Sequence, residues 1–321
     1  MKKVELHLHL EGAAPPGFIA GLAKEKHIDI SGIFTEAGAY RFRDFPEFVR
    51  VYEAACTTLQ SPEDYARLTT AVLEEQAAQG VVYTEHFLCP DFCGAGDPGA
   101  WREYLQAVRE AAERCEARDG ITMRAIALMI RHFDPQGARK AALCAAETAG
   151  DFLVGIGLAG NEKVAKIKDF AWGFACGREA GLGLTIHAGE LCGPAEVREA
   201  LDFEPTRIGH GVHAIEDPAL VDRLAERGTV LECCPGSNIA LGLYPDVRRH
   251  PIGPLFDRGV RVTVSTDDPP FFRTSLAREY EMLAQAFDWD DGVFARLNRT
   301  ALDAAFCDKD TQDRIRKRME A

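Results

Sequence analysis

The chain has 321 residues, with 37 basic and 50 acidic side chains and a formal net charge of −13. This length accommodates two average domains or one α/β barrel, and the hydrophobic content of 46% is typical of a globular protein rather than a disordered one. The acidic balance argues against nucleic-acid and anionic-membrane partners, which need a basic surface. The apolar run at 121–130 is about half as long as a membrane-spanning helix, so we expect no membrane segment.

The amino-terminal residues and the cysteines indicate the compartment. Acidic and histidine side chains between residues 5 and 11 are incompatible with the apolar core of a secretion signal, so we expect a cytoplasmic protein. The ten cysteines are scattered, and we expect free thiols packed as small hydrophobic side chains. Cys89 and Cys93 resemble half of a zinc knuckle, but no second pair stands near them.

Eight short β-like runs alternate with longer amphipathic stretches. The predicted strands are Val4–Leu10, Val81–Leu88, Thr122–Ile130, Phe152–Leu158, Gly183–His187, Arg207–His210, Thr229–Cys233 and Val260–Ser265. The predicted helices are Ser61–Gln79, Ala100–Ala117, Pro135–Ala149, Lys163–Ala180, Pro194–Leu201, Pro218–Glu226 and Ser275–Phe287. Strands that alternate with helices imply a parallel sheet, and the count of eight favours closure into a (β/α)8 TIM-type barrel.

Additional helices are expected at two places around this barrel. The segment 11–80 separates the first two strands, and we expect two helices there as an insertion over the carboxyl-terminal mouth of the strands. Residues from Asp290 onward are expected to form further helices. The alternative, an open doubly wound sheet, usually has a glycine-rich turn after its first strand, and Leu10–Pro15 does not match it. We see no linker or repeat in the sequence and predict one domain over residues 1–321.

Two histidines lie two residues apart in the first predicted strand. In an extended strand, His7 and His9 share one face and the alternating leucines share the other. Two buried neutral imidazoles need polar partners, and a divalent metal satisfies both. Core histidines bonded to the backbone are the alternative.

Three later strand ends add ligand-type side chains. His187 ends the fifth strand, and Glu190 follows three residues later. His210 ends the sixth strand between two glycines, and Asp267 and Asp268 follow the eighth. Three imidazoles and one carboxylate suit zinc, and water bound to such a zinc ionises near pH 7. Because barrels carry catalytic groups at these strand ends, the sequence predicts a catalytic metal site.

The segments ELHLHLEG, HAGE, GHG and STDDP, in this order, resemble the adenosine deaminase branch of the metal-dependent amidohydrolases. The match extends from residue 4 to about residue 275, and the ordered set is specific although each piece alone is weak. The resemblance implies a distorted α/β barrel with one zinc ion per chain that hydrolytically deaminates a small-molecule purine. Its metal ligands would be His7, His9, His187 and Asp267.

The resemblance also implies roles for neighbouring residues. Glu190 would protonate the purine ring nitrogen next to the amino-bearing carbon, and His210 would orient and deprotonate the attacking water. Asp268 would bind the imidazole-ring nitrogen of the purine, and the Gly160 N–H a pyrimidine-ring nitrogen. Alternatively, Glu190 only supports the metal site, or Asp268 is an outer carboxylate that fixes a ligand histidine. The stretch Cys233–Asn238 resembles the family's Cys-Pro-x-Ser segment and is expected to support the site.

The segment Phe45–Tyr52 resembles the family's lid helix. Phe48, Val49 and Tyr52 share one helical face at these spacings. By resemblance this face would cover the sugar side of a nucleoside. The alternative is an ordinary core face.

The signals for the substrate conflict. Two residues past the second histidine, adenosine deaminases usually have an aspartate that meets the ribose 5′-hydroxyl, whereas this chain has Glu11, as adenine deaminases tend to. The stretches Gly209–Gly211 and Leu158–Gly160 instead resemble the adenosine branch. We therefore expect adenosine or 2′-deoxyadenosine as the substrate, with adenine or another 6-aminopurine as the alternative.

Other classes of function are weighed against this one. Two-metal amidohydrolases usually have a modified lysine at the fourth strand's end, and here that end is Gly157–Gly160, with no lysine from there until Lys163. The cytidine-deaminase motif is not found in the sequence. A zinc-holding purine-binding protein without activity would need neither Glu190 nor His210. The sequence does not indicate an oligomeric state. Core or surface positions are expected for the histidines outside the motifs, which are His27, His86, His132, His213 and His250.

Overall fold

A computed structural model describes residues 1–133 and 135–320, so the predicted domain end at Ala321 lies outside the described residues. Its eight strands are parallel and pair in chain order. Backbone hydrogen bonds from His9 N to Asp267 O (3.0 Å) and from Asp267 N to His7 O (3.1 Å) join the first strand to the segment after the last one. These bonds nearly close the sheet and confirm the predicted (β/α)8 TIM-type barrel. The strands are β1 (Lys3–His9), β2 (Val81–Leu88), β3 (Thr122–Ile130), β4 (Leu153–Ala159), β5 (Gly183–Ala188), β6 (Arg207–His210), β7 (Val230–Cys233) and β8 (Arg261–Val264).

Helices follow the strands around the barrel. Among the described residues, none of them has the length and apolar composition needed to cross a membrane. All ten cysteines are free thiols, as expected, and most are buried. The helices are α1 (Pro16–Lys26), α2 (Phe45–Cys56), α3 (Pro62–Ala78), α4 (Pro98–Asp119), α5 (Pro135–Glu147), α6 (Ala171–Glu179), α7 (Pro194–Leu201), α8 (Pro218–Arg227), α9 (Pro235–Ala240), α10 (Ile252–Asp257), α11 (Pro269–Phe272), α12 (Leu276–Phe287), α13 (Asp291–Ala304) and α14 (Lys309–Glu320).

Short polar side chains and prolines define where many of these helices begin. Ser61 precedes α3, and its hydroxyl accepts a hydrogen bond from the Asp64 N–H while Pro62 occupies the first turn. Asp97 and Asp217 cap α4 and α8 in the same way. Because such caps satisfy backbone N–H groups that lack helical partners, these helix starts could be predicted from the sequence.

The insertion between β1 and β2 contains α1, α2 and α3, one helix more than expected. The unexpected helix, α1, follows Pro15 without a side-chain cap and contains Gly17 and Gly21, so its sequence is typical of a loop. Asp44 caps α2 by accepting from the Glu47 N–H, and α2 lies over the cavity at the mouth of the barrel. The helices expected after residue 290 are α13 and α14.

The predicted helix Lys163–Ala180 is wrong in its first part. Residues 160–166 form a loop, which a 3₁₀ turn (Ile167–Phe170) and α6 follow. The Lys166 N–H donates to the Asp169 carboxylate at 3.0 Å, and this bond starts the turn. The 3₁₀ turn therefore begins four residues later, and α6 eight residues later, than the predicted helix start at Lys163.

One arginine and two acidic side chains lie buried inside the barrel, away from the strand ends that carry the motifs. The Arg207 guanidinium lies 2.7 Å from Glu85 and donates to Glu232. The Phe306 ring stacks against this guanidinium, with its centroid 3.6 Å away. Each buried charge alone would be costly, so the three groups are stable only as a paired set.

Arg207→Leu is expected to lower the free energy of unfolding by about 3–5 kcal/mol, because it leaves two carboxylates buried without a counter-charge. Urea denaturation followed by circular dichroism measures this loss. The matched control is Arg258→Leu, which removes a surface pair with Asp222 and should cost less than about 1 kcal/mol. Equal losses in the two variants would contradict the structural role of Arg207.

Candidate active site

The predicted site residues converge on one cavity at the carboxyl ends of the strands. Its wall contains ligand-type side chains, polar groups predicted to act on the substrate, and the predicted lid face. These are His9, His187, Asp267, Glu190, His210, Glu11, Gly160, Asp268, Phe48, Val49 and Tyr52. His7 lies fully buried behind this wall, in contact with the other imidazoles.

Four side chains form a compact cluster of ligand type. His7, His9, His187 and Asp267 each offer one ligand atom, and these atoms all lie within 4.8 Å of one another. His9 Nε2 lies 3.2 Å from Asp267 Oδ1 and 3.3 Å from His187 Nε2. His7 Nε2 lies 3.4 Å from the same carboxylate oxygen. The nitrogens thus converge on one point beside a carboxylate, as ligands of a single cation do.

The chemistry of this donor set fits zinc. Three imidazole nitrogens and one carboxylate oxygen match the ligands that zinc prefers and leave a position open. His7 Nε2 is buried and has no hydrogen-bond partner among the described residues, which is costly unless a cation satisfies it. The ligand-type groups found among the described residues include neither Cys89 nor Cys93, so nothing supports a zinc knuckle there.

Glu232 fixes the orientation of His7. Its Oε2 accepts from His7 Nδ1 at 2.8 Å and from the Thr185 hydroxyl at 3.0 Å, which leaves His7 Nε2 facing the cluster. Burial alone would raise the pKa of Glu232, but Arg207 and His7 lower it, so the group stays ionised. A carboxylate behind a ligand histidine orients the ring and raises its basicity. Glu232 was not predicted as a site residue, although its charge inside an apolar strand was a signal.

Asp267 is held in an unusual backbone conformation. Its φ is +67° and that of His210 is +59°, in the left-handed region that residues other than glycine seldom adopt. The backbone bonds of Asp267 to β1 hold this strain, and the Ser237 hydroxyl donates to its Oδ2 at 2.7 Å. Ser237 belongs to the stretch that was expected to support the site.

Glu190 lies across the cavity wall from His210, with Oε2 3.7 Å from Nε2. Burial, and then the nearby Asp267 carboxylate, raises the pKa of Glu190 well above its usual range, so it can carry a proton near neutrality. The carboxylate of Glu162 accepts from the backbone N–H groups of residues 190–192 at 3.1, 2.9 and 2.6 Å. These three hydrogen bonds hold the loop that carries Glu190. Glu162 was not predicted as a site residue from the sequence.

Arg131 fixes the strand end that carries His187. Its buried guanidinium donates to the His187 carbonyl oxygen at 2.7 Å and to the Glu196 carboxylate at 2.6 Å. A second bond, to the Ala165 carbonyl oxygen at 3.0 Å, ties in the loop after β4. The arginine therefore joins three segments around one ligand, and no local sequence pattern indicates this.

Asp268 lines the cavity and has one buried, unpaired carboxylate oxygen. Its Oδ1 has no hydrogen-bond partner among the described residues. Burial, and then the Asp267 and Glu190 carboxylates, raises the pKa of Asp268 well above its usual range. Gly12 makes room for it, because a Cβ at that position would lie 1.6 Å from Oδ1. The outer carboxylate that bonds His7 is Glu232 rather than Asp268.

Glu11 is buried in the cavity wall and already has partners. Its Oε1 accepts from the Tyr65 hydroxyl at 3.1 Å and from the Cys89 N–H at 3.2 Å. Tyr52 lines the cavity close to this carboxyl group. Burial raises the pKa of Glu11 to about 7, although these hydrogen bonds oppose the rise.

The face of α2 over the cavity is apolar. Phe48, Val49 and Tyr52 all point into the cavity, as their shared helical face predicts. At the rim, Glu53 Oε1 of the same helix lies 3.3 Å from His132 Nε2. The helix is thus packed on the barrel by aromatic side chains and joined to it by one polar pair.

Gly160 follows β4 directly, in a conformation that favours glycine, with φ +94°. A Cβ there would lie 2.8 Å from His132 Nδ1. The backbone of Gly160 is therefore exposed to the cavity, where it was expected to meet the purine.

Glu232→Gln is expected to weaken zinc binding roughly 10- to 100-fold, because a neutral amide no longer holds the His7 imidazole as a carboxylate does. Competition with a chromophoric chelator measures the affinity. The matched control is Glu85→Gln, which removes a buried carboxylate from the same Arg207 guanidinium without touching His7. Equal losses of affinity would argue against a specific role of Glu232.

Known proteins share this architecture over the whole chain. The family model for adenosine deaminase matches residues 2–321. A protein named adenine deaminase from Rhizobium leguminosarum bv. trifolii is 47% identical over 320 residues, which are 99% of this chain and 99% of that protein. The solved structure of adenine deaminase from Arthrobacter aurescens has a TM-score of 0.87 at 27% identity and covers 99% of both chains. An amidohydrolase from Burkholderia ambifaria with bound Zn has a TM-score of 0.88 at 26% identity, covering 99% of this chain and 89% of that one.

These similarities confirm the resemblance on which the sequence analysis relied. They also favour adenine, which was the alternative substrate, over adenosine. The barrel and the cluster of ligand-type side chains agree with a hydrolase that acts on C–N bonds of cyclic amidines. The chain belongs to the adenosine deaminase family and is a hydrolase that deaminates 6-aminopurines.

Proposed function

We propose that this protein hydrolyses adenine, the free base, to hypoxanthine and ammonia, with one zinc ion per chain. The zinc ligands would be His7, His9, His187 and Asp267. The observation that carries the choice of adenine is the buried Glu11 carboxyl group, which is already bonded to the protein where a ribose hydroxyl would need a partner. The whole-length similarity to relatives named adenine deaminase supports the same choice.

A zinc ion held by these four residues would act as a Lewis acid and lower the pKa of a bound water molecule toward neutrality. The grouping of the ligand-type side chains supports one ion per chain rather than two. The other such group consists of His210, Cys234 and Asp267, so it shares Asp267 with the first. Burial raises the pKa of the Cys234 thiol well above its usual range, and the thiol form is a poor metal ligand.

The side chains around the cluster divide the remaining work. Glu190 donates a proton to the ring nitrogen next to the amino-bearing carbon, because burial favours its protonated form. Asp268 bonds the imidazole-ring nitrogen through its carboxyl group, and the Gly160 N–H bonds a pyrimidine-ring nitrogen, since both residues line the cavity. His210 orients the attacking water. Together these contacts hold the purine plane with its amino-bearing carbon toward the metal cluster.

The sugar side of the cavity supports a free base as the substrate. A ribose has three hydroxyl groups, and each needs a hydrogen-bond partner when it is buried. The face toward α2 offers the apolar side chains of Phe48 and Val49, and the Glu11 carboxyl group of the cavity wall is already bonded to Tyr65 and Cys89. At the rim, Glu53 is paired with His132. A nucleoside would have to break these bonds or bury hydroxyl groups without partners.

The charge of the cavity disfavours a nucleotide. Phosphate groups are bound by arginine, lysine or backbone N–H groups. The described residues that line the cavity include no lysine or arginine, and their acidic members are Glu11, Glu53, Glu190, Asp267 and Asp268. A phosphate group would find no cationic partner among these residues and would be repelled by those acidic members that are ionised, which opposes the binding of AMP or a related nucleotide.

Adenine is expected to react with a kcat/KM about 100-fold or more above that of adenosine, since the sugar leaves buried polar groups without partners. Ultraviolet absorbance follows the reaction with adenine, adenosine, 2′-deoxyadenosine, AMP and N6-substituted purines. Faster turnover of adenosine than of adenine would contradict the proposal and favour the nucleoside as the substrate. That result would agree with the stretches Gly209–Gly211 and Leu158–Gly160, which resemble the adenosine branch of the family.

Glu190→Gln is expected to lower kcat about 10²- to 10⁴-fold, because the amide cannot deliver a proton to the ring nitrogen. Ammonia release gives the rate, and elemental analysis gives the zinc content, which should remain one ion per chain. Unchanged turnover would refute the acid role. Adenine binding by the wild type without ammonia release would instead identify a purine-binding protein without activity.

A further inference from the structure

A line of buried hydrogen bonds leads from the backbone of α10 to His210. It begins where the Ile252 N–H donates to His250 Nδ1 at 3.2 Å. A backbone N–H can only donate, so this ring nitrogen accepts and carries no proton. Burial lowers the pKa of His250 to about 3, so the ring is neutral and its one proton lies on Nε2.

That proton determines the direction of the next two bonds. His250 Nε2 lies 3.0 Å from Asn238 Oδ1 and therefore donates to it. The amide nitrogen of Asn238 then faces His210 Nδ1 at 3.3 Å and donates in turn. His210 accepts at Nδ1, so its own proton lies on Nε2, the nitrogen that faces Glu190 and Asp267.

We propose that Asn238 and His250 are positioning residues that hold His210 as the tautomer with its proton on Nε2, so that His210 donates a hydrogen bond to the attacking water. This inference rests on the proposed function only for the reaction that His210 serves. The tautomer of His210 follows from the hydrogen bonds alone. The resemblance implied that His210 deprotonates the water. A neutral ring has no free electron pair on a nitrogen that already carries hydrogen, so the proton of the water must go to a carboxylate. Glu190 can accept it once it has given its own proton to the purine ring nitrogen. Glu190 Oε2 lies 3.7 Å from His210 Nε2.

The surroundings of the relay allow no other direction. His210, Asn238 and His250 are all buried, so solvent does not replace any of the bonds. Within the described part of the chain, no carboxylate is paired with His250, and the Tyr244 ring covers it at a centroid distance of 5.2 Å. A carboxylate there would let the ring ionise and the Asn238 amide turn over. Among the described residues, no carboxylate replaces the Ile252 N–H as the partner of His250 Nδ1.

Nitrogen-15 NMR of the zinc-loaded protein, labelled at histidine, reads the tautomer directly. One-bond and long-range correlations between ring nitrogens and protons distinguish a proton on Nε2 from one on Nδ1. We expect His210 and His250 both to carry the proton on Nε2, with signals assigned by their loss in His210→Gln and His250→Gln. A proton on Nδ1 of His210 in the wild type would overturn the proposal whatever the substrate is.

Two variants should no longer hold the His210 proton on Nε2, and a third should still hold it there. In Asn238→Asp, a carboxylate accepts from both rings, so the His210 proton should move to Nδ1 and kcat should fall roughly 10- to 100-fold with little change in KM. His250→Leu frees the Asn238 amide to turn and should act in the same way.

His250→Gln is the matched control, because its side-chain amide can still donate to Asn238. We expect it to keep the His210 proton on Nε2 and to recover most of the kcat that His250→Leu loses. If both His250 variants lose kcat equally while His210 keeps its proton on Nε2, the relay only supports the fold and the proposal is wrong.

Discussion

The pairing of β1 with the segment after β8 is the interaction on which the site depends. Asp267 donates from its backbone N–H to the His7 carbonyl oxygen, and its own carbonyl oxygen accepts from the His9 N–H. The two bonds that bring the sheet edges together therefore also set the Asp267 carboxylate beside both imidazoles. They hold the left-handed backbone of Asp267 against its strain. Closure of the barrel and assembly of the ligand cluster are the same structural event.

The arrangement concentrates negative charge in a buried space. Burial and neighbouring carboxylates raise the pKa values of Glu190 and Asp268 well above their usual range. Burial would do the same to Asp267, but the nearby imidazoles of His7, His9 and His210 hold its pKa well below its usual range. One carboxylate thus stays ionised as a ligand while its neighbours are favoured as proton donors. A bound cation would offset the remaining repulsion, which explains why acids and imidazoles share one cavity.

Much of this could be predicted because the signals are local. The strands were found within one residue of their predicted bounds, since apolar β-like runs alternate with capped helices. His187 and His210 stand where such runs end, and parallel strands that close into a barrel bring their ends to one mouth. Glu232 and His250 could not be assigned in this way. Glu232 acts through His7, which lies 225 residues away in the sequence, and His250 acts through the Asn238 amide.

The sequence by itself determined the fold class, the set of ligand-type side chains and the kind of chemistry, because periodicity and side-chain type are properties of each segment. Only the tertiary structure decided which nitrogen of His7 and of His210 faces the cavity, and that Tyr65 and the Cys89 N–H bond the Glu11 carboxyl group. The physical reason is that a hydrogen bond has a direction and a partner, and both depend on which distant segments barrel closure brings into contact.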